Sequence, residues 1–369
     1  MITLVKTLLL LCDIERHNWI QSYQSMETIQ VAKIVLGMGT SHGPMLSTPP
    51  ELWDSRVPDD RQRLHDFRGG KMSFDALVAA RRDENLAQHL TLEVWRERHA
   101  RCRAGLAELA RVFNEVKPDI AVIVGNDQME VFRDTLIPAF SVHRGAEIIN
   151  SEYEPARLAR LPAGIEISVP GHIPPGGATH AGAPALGTHI TEQLIAAQFD
   201  VAAMNGFPRD ETPHAFGFVF RQVMLDHVVP TVPVLVNTFY PPNQPSVQRC
   251  HDFGLALRQA IESWPVDARV AILASGGLTH FVIDETVDER FLALIRGEGT
   301  LDALAGLGEA TFQAGTSEIK NWLPVVASMR ALDFVPTIVD YVPCYRSEAG
   351  TGNAMGFVHW QPRSTSAGA

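Results

Sequence analysis

Apolar positions along the chain gather in short unbroken runs separated by longer stretches with a helical period. Four runs, 31–37, 119–125, 232–238 and Arg269–Ser275, are rich in Val, Ile, Leu and Ala and do not alternate with polar residues. Runs of that length without alternation read as strands buried on both faces. Between and after them, 92–116, 182–198, 246–264 and 317–332 carry apolar residues at three- and four-residue spacing, which predicts helices. Strands alternating with helices predict an α/β fold, a central sheet with helices on both faces. The stretch 48–90 is polar and charge-mixed without a clean period, and reads as a helical excursion over whatever site the sheet carries. The Gly/Pro-rich segment 171–182, GHIPPGGATHAG, is long for a simple connection and reads as a lid.

In open α/β sheets ligands bind beyond the carboxyl ends of the strands. That rule directs attention to four short segments. They are Thr40-Ser41-His42, Asn126-Asp127-Gln128, Phe239-Tyr240 and the glycine-bearing loop that ends at His280. His42 lies in GMGTSHGPML and His280 in SGGLTHF, both in loops where a histidine has little packing to do. His214, in TPHAFGF, is a third loop histidine, and Glu318, in AGTSEIKNW, opens a helix. Each has an ordinary explanation taken singly, because a loop histidine can simply bond a neighbour and a first-turn carboxylate is favoured by the helix dipole. Taken together, two histidines and a carboxylate with open positions suit a non-haem Fe(II) centre. A spare histidine beside it could act as a general base toward a phenol.

Composition narrows the partners. Lys plus Arg number 31 against 42 Asp plus Glu, a formal net charge of −11, which argues against a nucleic-acid backbone as partner. Hydrophobic residues make up 46% and charged residues 20% of the 369, so a large packed core is expected. The four cysteines, Cys12, Cys102, Cys250 and Cys344, are far apart with no Cys-x-x-Cys pair, which points to neither a disulfide framework nor a structural zinc and fits a reducing cytoplasm. The leucine run after Lys6 is too short to span a membrane and is followed by Asp13, Glu15 and Arg16 without a cleavage site. Residues 1–30 therefore read as a dispensable N-terminal extension, 31–361 as one catalytic domain and 362–369 as a polar tail.

The runs GMGTSHGPML, VIVGNDQMEVF, LVNTFYPPNQPS, SGGLTHF, AGTSEIKNW and GTGNAMGF, in this order over about residues 31–360, resemble the class III (LigB-type) extradiol ring-cleavage dioxygenases. The single-chain gallate and 3-O-methylgallate branch is the most similar. The resemblance implies a LigB-like single large domain with a mixed sheet, Fe(II) as cofactor, an aromatic diol and O₂ as substrates, and a homodimer. It also implies His42 and Glu318 as metal ligands, His280 as catalytic base and His214 as a second active-site histidine. Where the family pattern places a second ligating histidine, this chain has Gln128. Gln128 is then the expected third ligand, with Glu130 as the alternative if the loop is shifted. Tyr240 is expected to line the substrate pocket. A carboxylated ring would want a cation nearby, for which Arg133, Lys320 and Arg346 are candidates. Competing readings are a metal-dependent hydrolase or lyase on the same scaffold and a metal-free binding homologue.

Overall fold

The computed structural model describes residues 30–162 and 164–363. The extension 1–30 and the tail 362–369 lie outside the described residues except for residues 30, 362 and 363, as does Cys12. One nine-stranded mixed sheet organises the chain. Its strands are β1 (Lys33–Thr40), β2 (Ile120–Gly125), β3 (Phe140–His143), β4 (Ala202–Met204), β5 (Thr231–Val236), β6 (Arg269–Ser275), β7 (His280–Val282), β8 (Phe334–Tyr345) and β9 (Thr351–Pro362). The order across the sheet is β7-β9-β1-β6-β2-β5-β3-β4, with β8 also paired to β9. The central four strands, β1, β6, β2 and β5, are mutually parallel, and β9 runs antiparallel to β1. All four apolar runs of the sequence fall on this parallel centre.

Alternate side chains of these strands supply two separate cores. Val122 and Val124 of β2, with Val270, Ile272 and Ala274 of β6, face one side. Ala121, Ile123, Ala271 and Leu273 face the other. Because both faces are covered, the strands need no polar alternation, which explains their unbroken apolar pattern. The first face is covered by α2 (Pro184–Ala196), α3 (Val247–Glu262), α4 (Glu285–Arg296) and α5 (Ile319–Ala331). The second is covered by the long α1 (Leu92–Val116), through Cys102, Leu106, Leu109 and Phe113.

Local chemistry sets the helix ends. Thr91 accepts from the Val94 amide, Ser246 from the Arg249 amide and Asp284 from the Thr286 amide, so α1, α3 and α4 each begin on a side-chain cap. Lys117 takes the left-handed conformation that closes α1. Helix α5 crosses the sheet so closely that a Cβ on Gly39 would meet the six-membered ring of the Trp322 indole. The Trp322 indole N–H donates to the Gly276 carbonyl at 2.8 Å, which pins α5 beside the end of β6.

The stretch 48–90 folds into short helical turns, Pro50–Arg56, Val57–Gln62 and Phe74–Ala80, with a small hairpin, His65–Phe67 with Gly70–Met72. The 171–182 segment is less free than its composition suggests, since Ala178–Ala181 pairs antiparallel with Glu147–Asn150. No helix among the described residues is long and apolar enough to cross a membrane.

Candidate active site

Adjacent parallel strands bring their ends to one edge, and β1, β6 and β2 are adjacent in that order. His42 follows β1 by two residues, Asn126 to Gln128 follow β2, and the loop after β6 leads to His280 at the start of β7. Glu318 closes the short turn Ala314–Glu318 before α5, which Trp322 holds against the same edge. The result is a cavity of about 720 Å³ whose wall includes His42, Gln128, Glu130, His214, His280 and Glu318.

Glu318 is the hub. Its Oε1 accepts from the Asn126 amide at 3.1 Å and the Gln128 amide at 2.9 Å. Its Oε2 accepts from the Gly277 N–H at 2.7 Å and faces His42 Nε2 at 3.1 Å and His280 Nε2 at 3.6 Å. Gly277 must be glycine for this approach, because a Cβ there would run into the His280 ring. Burial opposes the charge on Glu318, but the two imidazoles hold its carboxyl well below the usual range.

The imidazole tautomers follow from their other partners. The Ser275 hydroxyl donates to the Ala215 carbonyl at 2.6 Å, so toward His42 Nδ1, 2.9 Å away, it can only accept. His280 Nδ1 sits 2.8 Å from the Leu278 carbonyl, which also only accepts. Both rings therefore carry Nδ1–H, and in the neutral form both present an Nε2 lone pair to the same carboxylate oxygen. His42 Nε2 is buried without a hydrogen-bond partner. Burial holds the His42 pKa below its ordinary value. For His280 burial pulls the same way, but the Glu318 charge and hydrogen bond win and raise it.

A second pair stands beside the first. His214 Nδ1 lies 3.0 and 2.9 Å from the two Glu130 oxygens, and the His214 backbone N–H also donates to Glu130 at 3.0 Å. Burial works against charge on His214, yet the Glu130 carboxylate lifts its pKa to about 9. The His42 and His214 rings meet edge to face with centroids 4.7 Å apart. Asp127 shapes the loop that presents these groups, accepting from the Glu130, Val131 and Phe132 amides at 2.8–3.0 Å.

Set against the sequence expectations, His42, Gln128, His214, His280 and Glu318 all reach one cavity. Gln128 spends its amide on Glu318, and Glu130 is turned to His214 rather than to Glu318. Tyr240 is not on the wall of this cavity; it is half-buried in a turn with Asn237, whose side chain bonds both its N–H and its carbonyl. Of the candidate cations, Arg133 and Arg346 line the cavity, whereas Lys320 is buried in an ion pair with Glu309 at 2.7 Å. His172, outside the expected set, also lines the cavity; its Nε2 is buried without a partner and its ring lies 6.0 Å from that of His214. Its setting in a Gly/Pro-rich loop is the same signal that pointed to His42.

A family model described as the catalytic LigB subunit of aromatic ring-opening dioxygenase matches residues 87–304, more than half of the chain. The chain belongs to the LigB family. A curated gallate dioxygenase from Pseudomonas putida is 32% identical over 174 residues, covering 44% of this chain and 49% of that protein, so the chain spans about half the length of the curated relative it matches. A solved structure of an uncharacterized Escherichia coli K12 protein aligns with 69% of this chain and 91% of its own, at 15% identity and a TM-score of 0.44.

The residues of this LigB chain can be tested against a divalent metal. Among the described residues no group of three or more His, Cys, Asp and Glu side chains is placed so that it could hold a metal ion. The donor set nevertheless fits one. Two neutral imidazole lone pairs pointing at one carboxylate oxygen repel unless a cation or proton stands between them. Donors each about 2.1 Å from a small divalent ion and at right angles lie about 3.0 Å apart, close to the 3.1 Å between His42 Nε2 and Glu318 Oε2. Imidazole with carboxylate is also the donor chemistry of open Fe(II) sites.

Proposed function

We propose that this LigB-family chain is a non-haem Fe(II)-dependent extradiol dioxygenase that opens a catechol-type aromatic ring with O₂. The observation that carries the reading is the convergence of the His42 and His280 Nε2 lone pairs on Glu318 Oε2, with each Nδ1–H committed elsewhere. His42 and Glu318 hold the metal, with Gln128 completing or steadying the set through its position on Glu318. When bound, Fe(II) supplies the electron transfer to O₂ and lowers the pKa of the diol oxygens.

The chain's own residues handle protons and position. His280 has its Nδ1–H anchored, so its Nε2 is the atom that receives a phenolic proton and returns it after ring opening. His214, held as imidazolium by Glu130, offers a positive N–H donor where negative charge gathers on oxygen. Ser275 and Leu278 fix the orientation of the two rings, which spares the site from reorganising during the reaction.

The test is anaerobic loading with Fe(II), Mn²⁺ or Zn²⁺ in parallel, followed by oxygen uptake and ultraviolet spectra with protocatechuate and gallate. The reading expects stoichiometric O₂ consumption and a ring-opened product with Fe(II) alone. Turnover of an ester or carbon–carbon bond with Zn²⁺ or Mn²⁺, and no oxygen uptake with Fe(II), would replace it with a hydrolase or lyase.

A further inference from the structure

Arg56 ends the helical turn Pro50–Arg56 and reaches the wall of the active-site cavity. It is only 9% exposed. Its Nε is buried without a hydrogen-bond partner, and among the described residues no carboxylate lies within ion-pair distance of it. Asp60, four residues on, is spoken for. Its oxygens accept from Arg346 Nε at 2.7 Å, Arg346 Nη2 at 2.9 Å and Thr351 Oγ1 at 2.7 Å. Arg63 and Arg346 line the same cavity. Burial first, and then the charge of Arg346, pull the Arg56 pKa down to about 10, which leaves it protonated at neutral pH.

A buried guanidinium without a counterion is costly, and folded chains pair such charges. Arg157, elsewhere on the cavity wall, follows the rule by pairing with Glu211. Arg56 breaks it at a wall that faces the space left for substrate. The missing partner is then an anion brought by the ligand. A planar fork of N–H donors pairs bidentately with the oxygens of a carboxylate, the anionic substituent that a catechol-type ring can carry.

We propose that Arg56, backed by Arg63 and Arg346, binds the carboxylate substituent of the aromatic substrate and makes the chain select carboxylated diols over neutral ones. The proposal rests on the ring-opening reading above and adds to it the residue that sets specificity. Asp60 takes up the Arg346 guanidinium, and of the two arginines left without a carboxylate among the described residues, Arg56 is the buried one and Arg63 only half-buried.

The experiment compares kcat/KM for protocatechuate and for 4-methylcatechol, a neutral ring of similar size, in the Fe(II)-loaded protein and in Arg56→Gln. The ratio of the two is expected to fall by about 10²-fold in the variant, mostly through KM for protocatechuate, as for loss of one partner of a desolvated charge pair. A binding measurement without turnover runs beside it. Benzoate is expected to raise the melting temperature of the unaltered protein while benzamide does not, and Arg56→Gln to abolish the difference. If Arg56→Gln does not fold, Arg63→Gln and the benzoate–benzamide comparison on the unaltered protein decide. Equal shifts by benzoate and benzamide, or a variant that slows both rings by the same factor, overturn the proposal while leaving ring opening intact. A benzoate shift that disappears in Arg56→Gln in a protein that opens neither ring would keep the anion seat and remove the ring-opening reading.

Discussion

Asp60→Asn isolates the charge balance behind the cavity. Asp60 is 1% exposed and accepts three hydrogen bonds, two from Arg346 and one from Thr351. The amide keeps the volume and one acceptor oxygen, but it sets an NH₂ group against a guanidinium N–H and removes the charge that offsets Arg346. Breaking one side of a buried ion pair costs about 3–5 kcal/mol. With one oxygen retained we expect the lower end, about 3 kcal/mol, and a melting temperature lower by about 4 °C for a chain of this size. The pH dependence gives an independent signature. Burial pushes the Asp60 pKa up, but the Arg346 bonds and charge, helped by Thr351, outweigh it and hold it below its ordinary value. A depressed carboxyl contributes stability that is complete above the unfolded value of about 3.9 and is lost as pH falls through the folded value. The difference between the two proteins should therefore be full at pH 7 and pH 5 and shrink below about pH 4. Equilibrium urea unfolding at these pH values measures it. A difference under about 1 kcal/mol at pH 7, or one that grows on acidification, would refute the reasoning.

Four further substitutions probe the site and the packing beneath it. His280→Phe should keep its iron, measured by elemental analysis, and lose about 10²–10⁴-fold in ring opening, the usual contribution of a positioned acid–base; loss of iron instead would make His280 a ligand. Gln128→Ala should weaken iron retention because it removes a donor from Glu318, whereas Glu130→Ala should keep iron and slow turnover by releasing His214; the reverse pattern would make Glu130 the metal ligand. Gly39→Ala should destabilise by about 1–3 kcal/mol in denaturant unfolding, since the new methyl group must displace the Trp322 ring; an unchanged midpoint would mean that α5 can move away from β1.

The continuous apolar runs were enough to place the sheet's parallel centre, because they are too short for a buried helix and rich in the branched residues that suit a strand. Helix α1 was legible from its apolar spacing over 92–116, and Thr91 supplies the side-chain cap at its start. The long β8–β9 hairpin was not legible. Pro336 and Pro343 interrupt β8, much of it is only half-buried, and β9 carries Gly352 and Gly356. Its pairing depends on β1 offering an edge, which is a property of the assembled sheet. The site divides in the same way. His42, His280 and Glu318 stood out because each sits where a strand or helix end leaves a polar side chain with little structural work. How each is held, and how His214 is held beside them, depends on residues distant in sequence. Ser275, 233 residues from His42, fixes its tautomer, and Glu130, 84 residues from His214, fixes its charge. Cys102 and Cys344 have no spacing that relates them, yet their thiols lie 3.8 Å apart once α1 covers the sheet. Arg56, Arg61 and Arg63 read alike among Asp59 and Asp60, as a solvated charge-mixed segment. Only the folded chain gives Arg61 to Glu348 and Asp60 to Arg346, and leaves Arg56 buried without a counterion. Periodicity and caps are encoded within a few residues, whereas the pairing of charges depends on which segments the sheet brings together.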